Sequence, residues 1–164
     1  MTILGIDPGT TRIGYGIIRK ERGGKAQLAA CGLLKTAAGN PEGRVREVLA
    51  DLKKIITAFN PDIAAIEKLF FVKNQKTGMA VAETRGAICA LLGEHRIHYK
   101  EYAPREVKKI ITGSGSADKE GVRKMVSLAF ENMPISGPDD VSDAVAIALA
   151  AVWEEEFARR INPQ

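Results

Sequence analysis

Apolar runs separated by short turn-forming segments dominate the first 36 residues of the chain. Such runs, bounded by Gly, Pro and Asp, predict β-strands, which we expect at residues 3–6, 14–20 and 27–36. Because short turns join them, these three strands should form an antiparallel meander. A fourth run, at residues 62–67, is apolar without alternation and therefore predicts a strand buried on both faces. A fifth strand is expected at residues 97–102.

Apolar residues that recur every three or four positions predict the helices between and after the later strands. The first helix should follow Asn40 as N-cap and Pro41 at its first position, and it should stop at Asn60-Pro61. Further helices are expected at residues 76–96, 104–112, 117–132 and from about 139 to about 160. This order predicts an α/β fold in which a five-stranded mixed sheet is flanked by helices on both faces.

The same periodicity predicts which side chains of the helices face the core. In the helix at residues 76–96 the inward positions are Met79, Ala82, Ile88, Leu91 and Leu92. In the last helix they are Val141, Ala144, Val145, Ala148, Leu149 and Val152. The helix at residues 117–132 should be capped by Ser116, the last residue of a Gly-Ser turn.

Composition narrows the class of protein. The chain has 164 residues, of which 45% are apolar and 27% charged, so we expect one domain spanning residues 1–164. It has neither a run long enough to span a membrane nor a signal-peptide pattern, and Cys31 and Cys89 lack metal-ligand spacing, so a reducing, cytoplasmic setting is expected. The net charge is +4. If four acids bind metal, the rest of the surface is more basic, which favours a polyanionic partner.

Acidic residues stand where strands end. Asp7 closes the first strand just before Pro8-Gly9, and Glu67 closes the buried fourth strand. The carboxyl edge of an open α/β sheet is the usual place for a functional site. Each residue also has a simpler interpretation, because Asp often begins turns and Glu67 could be a solvated loop residue.

Two more acids, Asp140 and Asp143, lie three positions apart at the start of the last helix and so share a face. Asp139 and Asp143 would also share a face, and spacing does not choose between Asp139 and Asp140. Acids at a helix start are also favoured by the helix dipole alone.

Four converging carboxylates would repel one another unless a cation lay between them. Oxygen ligands favour Mg²⁺ or Mn²⁺, and two such ions would support phosphodiester hydrolysis by an activated water. In that chemistry Lys119 could offset charge on the scissile phosphate.

Nucleic-acid contacts are suggested by aromatic and basic residues near these acids. Phe70 and Phe71 follow Glu67 and precede Lys73, and an exposed aromatic there could stack on a base. The alternative is that one Phe packs and the other is incidentally exposed. A basic helix face carries Arg105, Lys108 and Lys109, and another carries Lys119 and Arg123; such faces contact phosphate or are simply solvated.

With these residues assembled, the chain resembles the RuvC family of Holliday-junction resolvases over nearly its whole length. The resemblance rests on an ordered set of motifs: Gly5-Ile6-Asp7-Pro8-Gly9, Gly14-Tyr15-Gly16, Ala65-Ile66-Glu67, Lys73-Asn74, Arg85-Gly86, Val107-Lys108, Gly113-Ser114-Gly115-Ser116-Ala117 and Asp140-Val141-Ser142-Asp143-Ala144.

The resemblance implies a ribonuclease H-like fold and a cytoplasmic homodimer that nicks four-way DNA junctions symmetrically, with two Mg²⁺ per subunit and Mn²⁺ as a substitute. It places the acidic ligands on Asp7, Glu67, Asp140 and Asp143, which favours Asp140 over Asp139. It further implies partnership with the RuvA–RuvB branch-migration complex. The DNA-contacting residues that it implies are Lys108 and Lys119 for phosphates, Phe70 or Phe71 for base stacking, and Lys73, Asn74 and Arg85.

Three rival functions remain. The first segment also resembles the phosphate loop of sugar kinases and actin-like ATPases, but those proteins need two such domains to close on ATP. A ribonuclease H-like nuclease that acts on RNA or transposon ends would use the same acids. A non-catalytic junction-binding module would be expected to have lost one or more of them.

Overall fold

The computed structural model describes residues 1–37, 39–69, 75–131, 133 and 135–161, with backbone only for residues 75–77. Its elements follow the predicted order of strands and helices. The strands are β1 (Thr2–Asp7), β2 (Arg12–Lys20), β3 (Ala26–Lys35), β4 (Ile63–Glu67) and β5 (His98–Tyr102). The helices are α1 (Pro41–Phe59), α2 (Gln75–Glu94), α3 (Pro104–Thr112), α4 (Lys119–Ala129) and α5 (Asp139–Ile161).

The five strands form one mixed sheet in the order β3-β2-β1-β4-β5. Strand β2 pairs antiparallel with β1 and β3, whereas β4 pairs parallel with β1 and β5. The predicted meander and mixed sheet are therefore confirmed. Because β1 and β4 run in the same direction, with Ile6 opposite Ile66, they end at the same edge of the sheet.

Helices cover both faces of this sheet, as predicted. Along β1 the side chains alternate: Ile3 packs with residues of α3, α4 and α5, whereas Leu4 and Ile6 pack with residues of α1 and α2. All six predicted core positions of α5 are buried. The burial extends around α5 because it lies between the sheet and α3 and α4, so nearly every residue from Val141 to Val152 is enclosed.

Three glycines allow α5 to approach the sheet closely, and we call Gly5, Gly14 and Gly16 the glycine strip. A Cβ on Gly5 would collide with the Ala144 carbonyl oxygen, and one on Gly16 would lie 2.8 Å from a methyl carbon of Val145. Gly5 and Gly16 are direct partners across β1 and β2. The first turns of α5 thus rest on main chain rather than on side chains.

The predicted inward face of α2 is only partly correct. Ile88, Leu91 and Leu92 are buried, but Met79 is 65% exposed and Ala82 is also exposed. The buried row of α2 instead includes Thr84, whose hydroxyl donates a hydrogen bond to the Ala80 carbonyl at 3.1 Å. Since that bond satisfies the hydroxyl, a polar side chain takes an inward position that the apolar pattern did not predict.

The start and end of α4 also differ from the prediction. The N-cap is Asp118, whose carboxylate accepts a hydrogen bond from the Gly121 N–H at 2.8 Å, and not Ser116. The Ser116 hydroxyl instead lies 3.0 Å from that of Ser114. The helix ends at Ala129, short of the predicted residue 132, and Glu131 adopts a left-handed conformation with φ of 57°.

Within the described residues, no helix is both long enough and apolar enough to cross a membrane.

Candidate active site

Asp7 and Glu67 lie side by side at the ends of β1 and β4. Their side chains are hydrogen-bonded to each other, and Asp7 is mostly removed from solvent. Burial, followed by the hydrogen bond to Glu67 and by its charge, raises the pKa of Asp7 to about 9. The charges of Asp143 and Asp140 raise the pKa of Asp7 further. The pKa of Asp7 therefore responds to all three of the other predicted acids.

The glycine strip explains how Asp140 and Asp143 reach this edge. Gly14 pairs with Asp7 across β1 and β2, and a Cβ on Gly14 would collide with the Asp140 carbonyl oxygen. The first turn of α5 is therefore held against the strand pair that carries Asp7. The structure brings Asp7, Glu67, Asp140 and Asp143 together from three separate elements.

Each acid on α5 has a basic partner. An Arg12 Nη lies 3.5 Å from Oδ2 of Asp140, and Nζ of Lys119 lies 3.6 Å from Oδ2 of Asp143. Burial raises the pKa of Asp143, and Lys119 partly opposes this effect. Sequence reasoning did not identify Arg12, although a basic residue directly after the Asp7 turn was the available signal.

These contacts bear on whether a metal ion fits. The four acids offer only oxygen donors, which is the chemistry that Mg²⁺ and Mn²⁺ prefer. Among the described residues, however, no three His, Cys, Asp or Glu side chains are already arranged to hold an ion. Their negative charge is instead met by the Asp7–Glu67 hydrogen bond, Arg12 and Lys119. The donor set fits a divalent cation once these side chains exchange partners.

Asp139 faces a different set of groups. Its Oδ2 accepts a hydrogen bond from Lys119 Nζ at 3.2 Å, and its Oδ1 accepts one from Arg123. The hydrogen bond from Lys119, together with the charge of Arg123, lowers the pKa of Asp139. The charge of Asp140 helps to raise the pKa of Asp7, whereas Asp139 is paired with Lys119 and Arg123, which favours Asp140 over Asp139 as a member of the group.

An open cavity of about 480 Å³ adjoins this group. Lys119, Arg123 and Asp143 contribute to its walls, together with Lys124 and Ser127 of α4. The predicted basic face of α4 thus lies beside the acids, with Lys119 and Arg123 among the residues that line a concave surface.

The other predicted DNA-contacting residues lie elsewhere or outside the described residues. Phe70, Phe71, Lys73 and Asn74 are in the latter group. On α3, Arg105 and Lys109 are exposed and Lys108 is half-buried. Arg85 of α2 forms an ion pair with Glu101, and its side chain is only 16% exposed.

A mixed sheet with two acids at the ends of parallel strands and two more on the helix packed across them defines an α/β protein of the ribonuclease H-like class. The sequence profile described as "Crossover junction endodeoxyribonuclease RuvC" matches residues 3–151. The chain therefore belongs to the RuvC family of crossover junction endodeoxyribonucleases.

Individual relatives agree with that assignment. A protein of this name from Synechococcus sp. (strain WH7803) is 42% identical over 158 residues, covering 94% of this chain and 99% of the relative. Another, from Caldicellulosiruptor saccharolyticus, is 39% identical over 153 residues, covering 93% and 92%.

Solved structures agree as well. The Thermus thermophilus RuvC in complex with Holliday junction substrate is 30% identical, with a TM-score of 0.89 and 96% of each chain covered. The yeast mitochondrial Holliday junction resolvase Ydc2 is 16% identical with a TM-score of 0.70, covering 98% of this chain and 83% of that one, and shows likeness of fold.

Proposed function

We propose that this protein resolves four-way DNA junctions by metal-dependent hydrolysis of one phosphodiester bond in each of two opposed strands. The observation that carries the proposal is the convergence of four carboxyl groups at one edge of the sheet, where burial, followed by the neighbouring acids, raises the pKa of Asp7 to about 9. A carboxyl group whose pKa is raised by burial and by several acids beside it is a candidate for a functional site. Membership of the crossover junction endodeoxyribonuclease family supplies the substrate.

Asp7, Glu67, Asp140 and Asp143 would hold Mg²⁺, with Mn²⁺ as a substitute, at two positions per subunit. Bound there, the ions would supply a nucleophilic water and stabilise charge on the attacking and leaving oxygens. For the side chains to serve as ligands, Asp7 must lose the proton that its raised pKa implies, Arg12 must release Asp140 and Lys119 must release Asp143. Arg12 and Lys119 then become free to face the DNA backbone.

Lys119 is the residue we assign to the scissile phosphate. Its Nζ lies 3.6 Å from Asp143 Oδ2, and both residues line the cavity, so its ammonium group is already at the edge of the acidic site. A cation at this point stabilises negative charge that grows in the transition state, which makes Lys119 a catalytic residue in this proposal.

We assign the remaining DNA contacts to the other predicted residues. Lys108 would bind a backbone phosphate, and Phe70 or Phe71 would stack on a base near the junction centre. Lys73, Asn74 and Arg85 would contact the DNA backbone, for which Arg85 must exchange its present partner, Glu101. Paired cuts imply two active sites, so we propose a homodimer that works in the cytoplasm with the RuvA–RuvB complex.

Cleavage assays test this proposal directly. Wild-type protein and Asp7→Asn are incubated with a mobile four-way junction, with linear duplex of the same sequence and with structured RNA, in Mg²⁺ and in EDTA. Paired, ligatable nicks that require both the junction and Mg²⁺, and that Asp7→Asn abolishes without loss of junction binding, are expected. Equal cutting of the linear duplex or RNA would contradict junction resolution, and binding without cutting would contradict the catalytic role.

A further inference from the structure

The carboxylate of Asp139 links α4, which carries Lys119, to α5, which carries Asp140 and Asp143. Asp139 is the first residue of α5, and Lys119 and Arg123 lie one turn apart on α4. Lys119 Nζ is 3.2 Å from Asp139 Oδ2 and 3.6 Å from Asp143 Oδ2, so it is shared between the two acids. Arg123 occupies the other oxygen of Asp139, which fixes the direction in which Oδ2 points.

The stability of the fold does not explain why Asp139 pairs with both Lys119 and Arg123. The side chains of Asp139, Lys119 and Arg123 are 56%, 62% and 50% exposed, and ion pairs so open to water contribute little to folding. Their position is more informative, because Asp139 lies within one helical turn of Asp140 and Asp143, and Lys119 contacts Asp143 directly.

The Asp139 carboxylate becomes important when Asp143 binds a metal ion. A divalent cation on Asp143 would repel the Lys119 ammonium and take over its partner, and a flexible lysine without another acceptor would leave the site. Taking the proposed roles of Lys119 and Asp143 as given, we propose that Asp139 is a positioning residue that keeps Lys119 beside the reaction centre when Asp143 turns to metal. Arg123 supports it by fixing the Asp139 carboxylate and offsetting its charge near the DNA backbone.

A double-mutant cycle on single-turnover cleavage tests whether Asp139 acts through Lys119. The variants are Asp139→Asn, Lys119→Ala and the double variant, each at saturating junction and Mg²⁺. Asp139→Asn should lower the rate about tenfold, since misplacing a catalytic group is costly, and should change junction affinity by less than about twofold. The double variant should be no slower than Lys119→Ala alone. Asp139→Glu should recover part of the rate, and Arg123→Gln should show a smaller loss than Asp139→Asn.

Asp51→Asn is the matched control. Asp51 also forms an exposed ion pair, with Lys54 at 2.7 Å, but it lies on α1, which covers the other face of the sheet. This variant should cut at the wild-type rate. Thermal unfolding of every variant, and Mg²⁺ binding to Asp139→Asn and Lys119→Ala/Asp139→Asn measured by calorimetry without DNA, provide readouts that do not depend on activity.

The calorimetric comparison separates positioning from simple loss of charge. Without the Asp139 carboxylate, Lys119 pairs with Asp143 alone and competes with Mg²⁺ for it. Asp139→Asn should therefore weaken Mg²⁺ binding more when Lys119 is present than in the Lys119→Ala background. Equal weakening in both backgrounds, additive losses of rate, or a loss explained by junction affinity would each overturn the inference. If Asp139→Asn cleaved at the wild-type rate while Lys119→Ala was slow, the inference about Asp139 would be overturned and the proposed role of Lys119 would stand. A normal rate for Lys119→Ala would overturn the proposed role of Lys119 as well.

Discussion

Gly14 lies beneath the first turn of α5, where an added Cβ would collide with the main-chain carbonyl oxygen of Asp140. Gly14 is also the direct partner of Asp7 across the β1–β2 pair. The spacing between a strand-borne acid and a helix-borne acid is thus set by a residue that has no side chain. The glycine strip therefore sets how close the acids on α5 come to the acid on β1.

Gly14→Ala should impair both the site and the fold. The methyl group would push the first turn of α5 away from β1 and β2, with a loss of about 1–3 kcal/mol in the free energy of unfolding, as is typical of overpacked cores. Cleavage should fall by at least about tenfold, because small displacements of catalytic groups are costly. Chemical denaturation and single-turnover cleavage measure the two effects.

Gly93→Ala is the matched control for this substitution. Gly93 is an exposed residue of α2, and among the described residues an added Cβ would meet no heavy atom within 4 Å beyond its chain neighbours and its own helical backbone. Because Ala favours helix over Gly, the variant should be as stable as wild type or slightly more so, with unchanged cleavage. A fully active Gly14→Ala would show that α5 tolerates displacement.

Asp7→Asn should alter how the stability of the metal-free protein depends on pH. The pKa of Asp7 is raised from 3.8 to about 9, so between these values the folded protein retains a proton that the unfolded chain has lost. Rising pH through that window therefore favours unfolding of the wild type. An Asn can donate a hydrogen bond to Glu67 at every pH. Between pH 6 and 9 the free energy of unfolding should therefore fall less in the variant than in the wild type, and the two falls should differ by more than about 1 kcal/mol. Denaturation curves in EDTA check this, and parallel curves would contradict it.

Mg²⁺ should stabilise the folded protein, and more strongly at pH 8 than at pH 6. Binding only to the folded state at ten times the dissociation constant adds about 1.4 kcal/mol to the free energy of unfolding. Because the acids must be deprotonated to serve as ligands, apparent affinity should rise with pH. Thermal unfolding at matched ionic strength measures the shift, which Asp140→Asn should abolish and Asp51→Asn should retain. An equal shift from NaCl alone would indicate screening instead of binding.

Lys108→Ala and Lys119→Ala should differ in the step that they affect. Lys119 stands 3.6 Å from Asp143 at the acidic site, so its loss should lower the single-turnover rate more than junction affinity. Lys108 is half-buried on α3 and has no recorded ion-pair partner among the described residues, so its loss should weaken junction binding. The slope of log affinity against log salt should fall by about 1 for Lys108→Ala. Equal losses of rate and affinity in Lys119→Ala would make it a binding residue only.

The sequence predicted the order of all ten elements because the strand and helix periodicities of this chain are distinct. It also predicted that acids at the ends of two strands and at one helix start would share an edge, because parallel strands β1 and β4 end together. The failures were local. Asp118 and Ser116 are both good capping residues two positions apart, and only the folded chain distinguishes them.

Contacts between separate elements were harder to foresee. The sequence placed Lys119 and Arg123 on one face of a helix but gave no means of pairing them with Asp139, which lies across the connection between α4 and α5. Thr84 was missed because its inward position depends on a hydrogen bond that satisfies it within its own helix. Predictions for Phe70 and Phe71 fall outside the described residues and stay predictions.

Two of the four acids lie on α5, which follows all five strands along the chain, although they lie beside Asp7 at the end of β1. A ribosome that has completed β4 has made only half of the acidic cluster, and the central strand pair still lacks the helix that covers it. The cluster can therefore assemble only after α5 has been synthesised and has docked on the glycine strip. Late docking would delay the proposed DNA-cutting activity until α5 has been made, so chains that stop before Asp139 would lack two of the four acids.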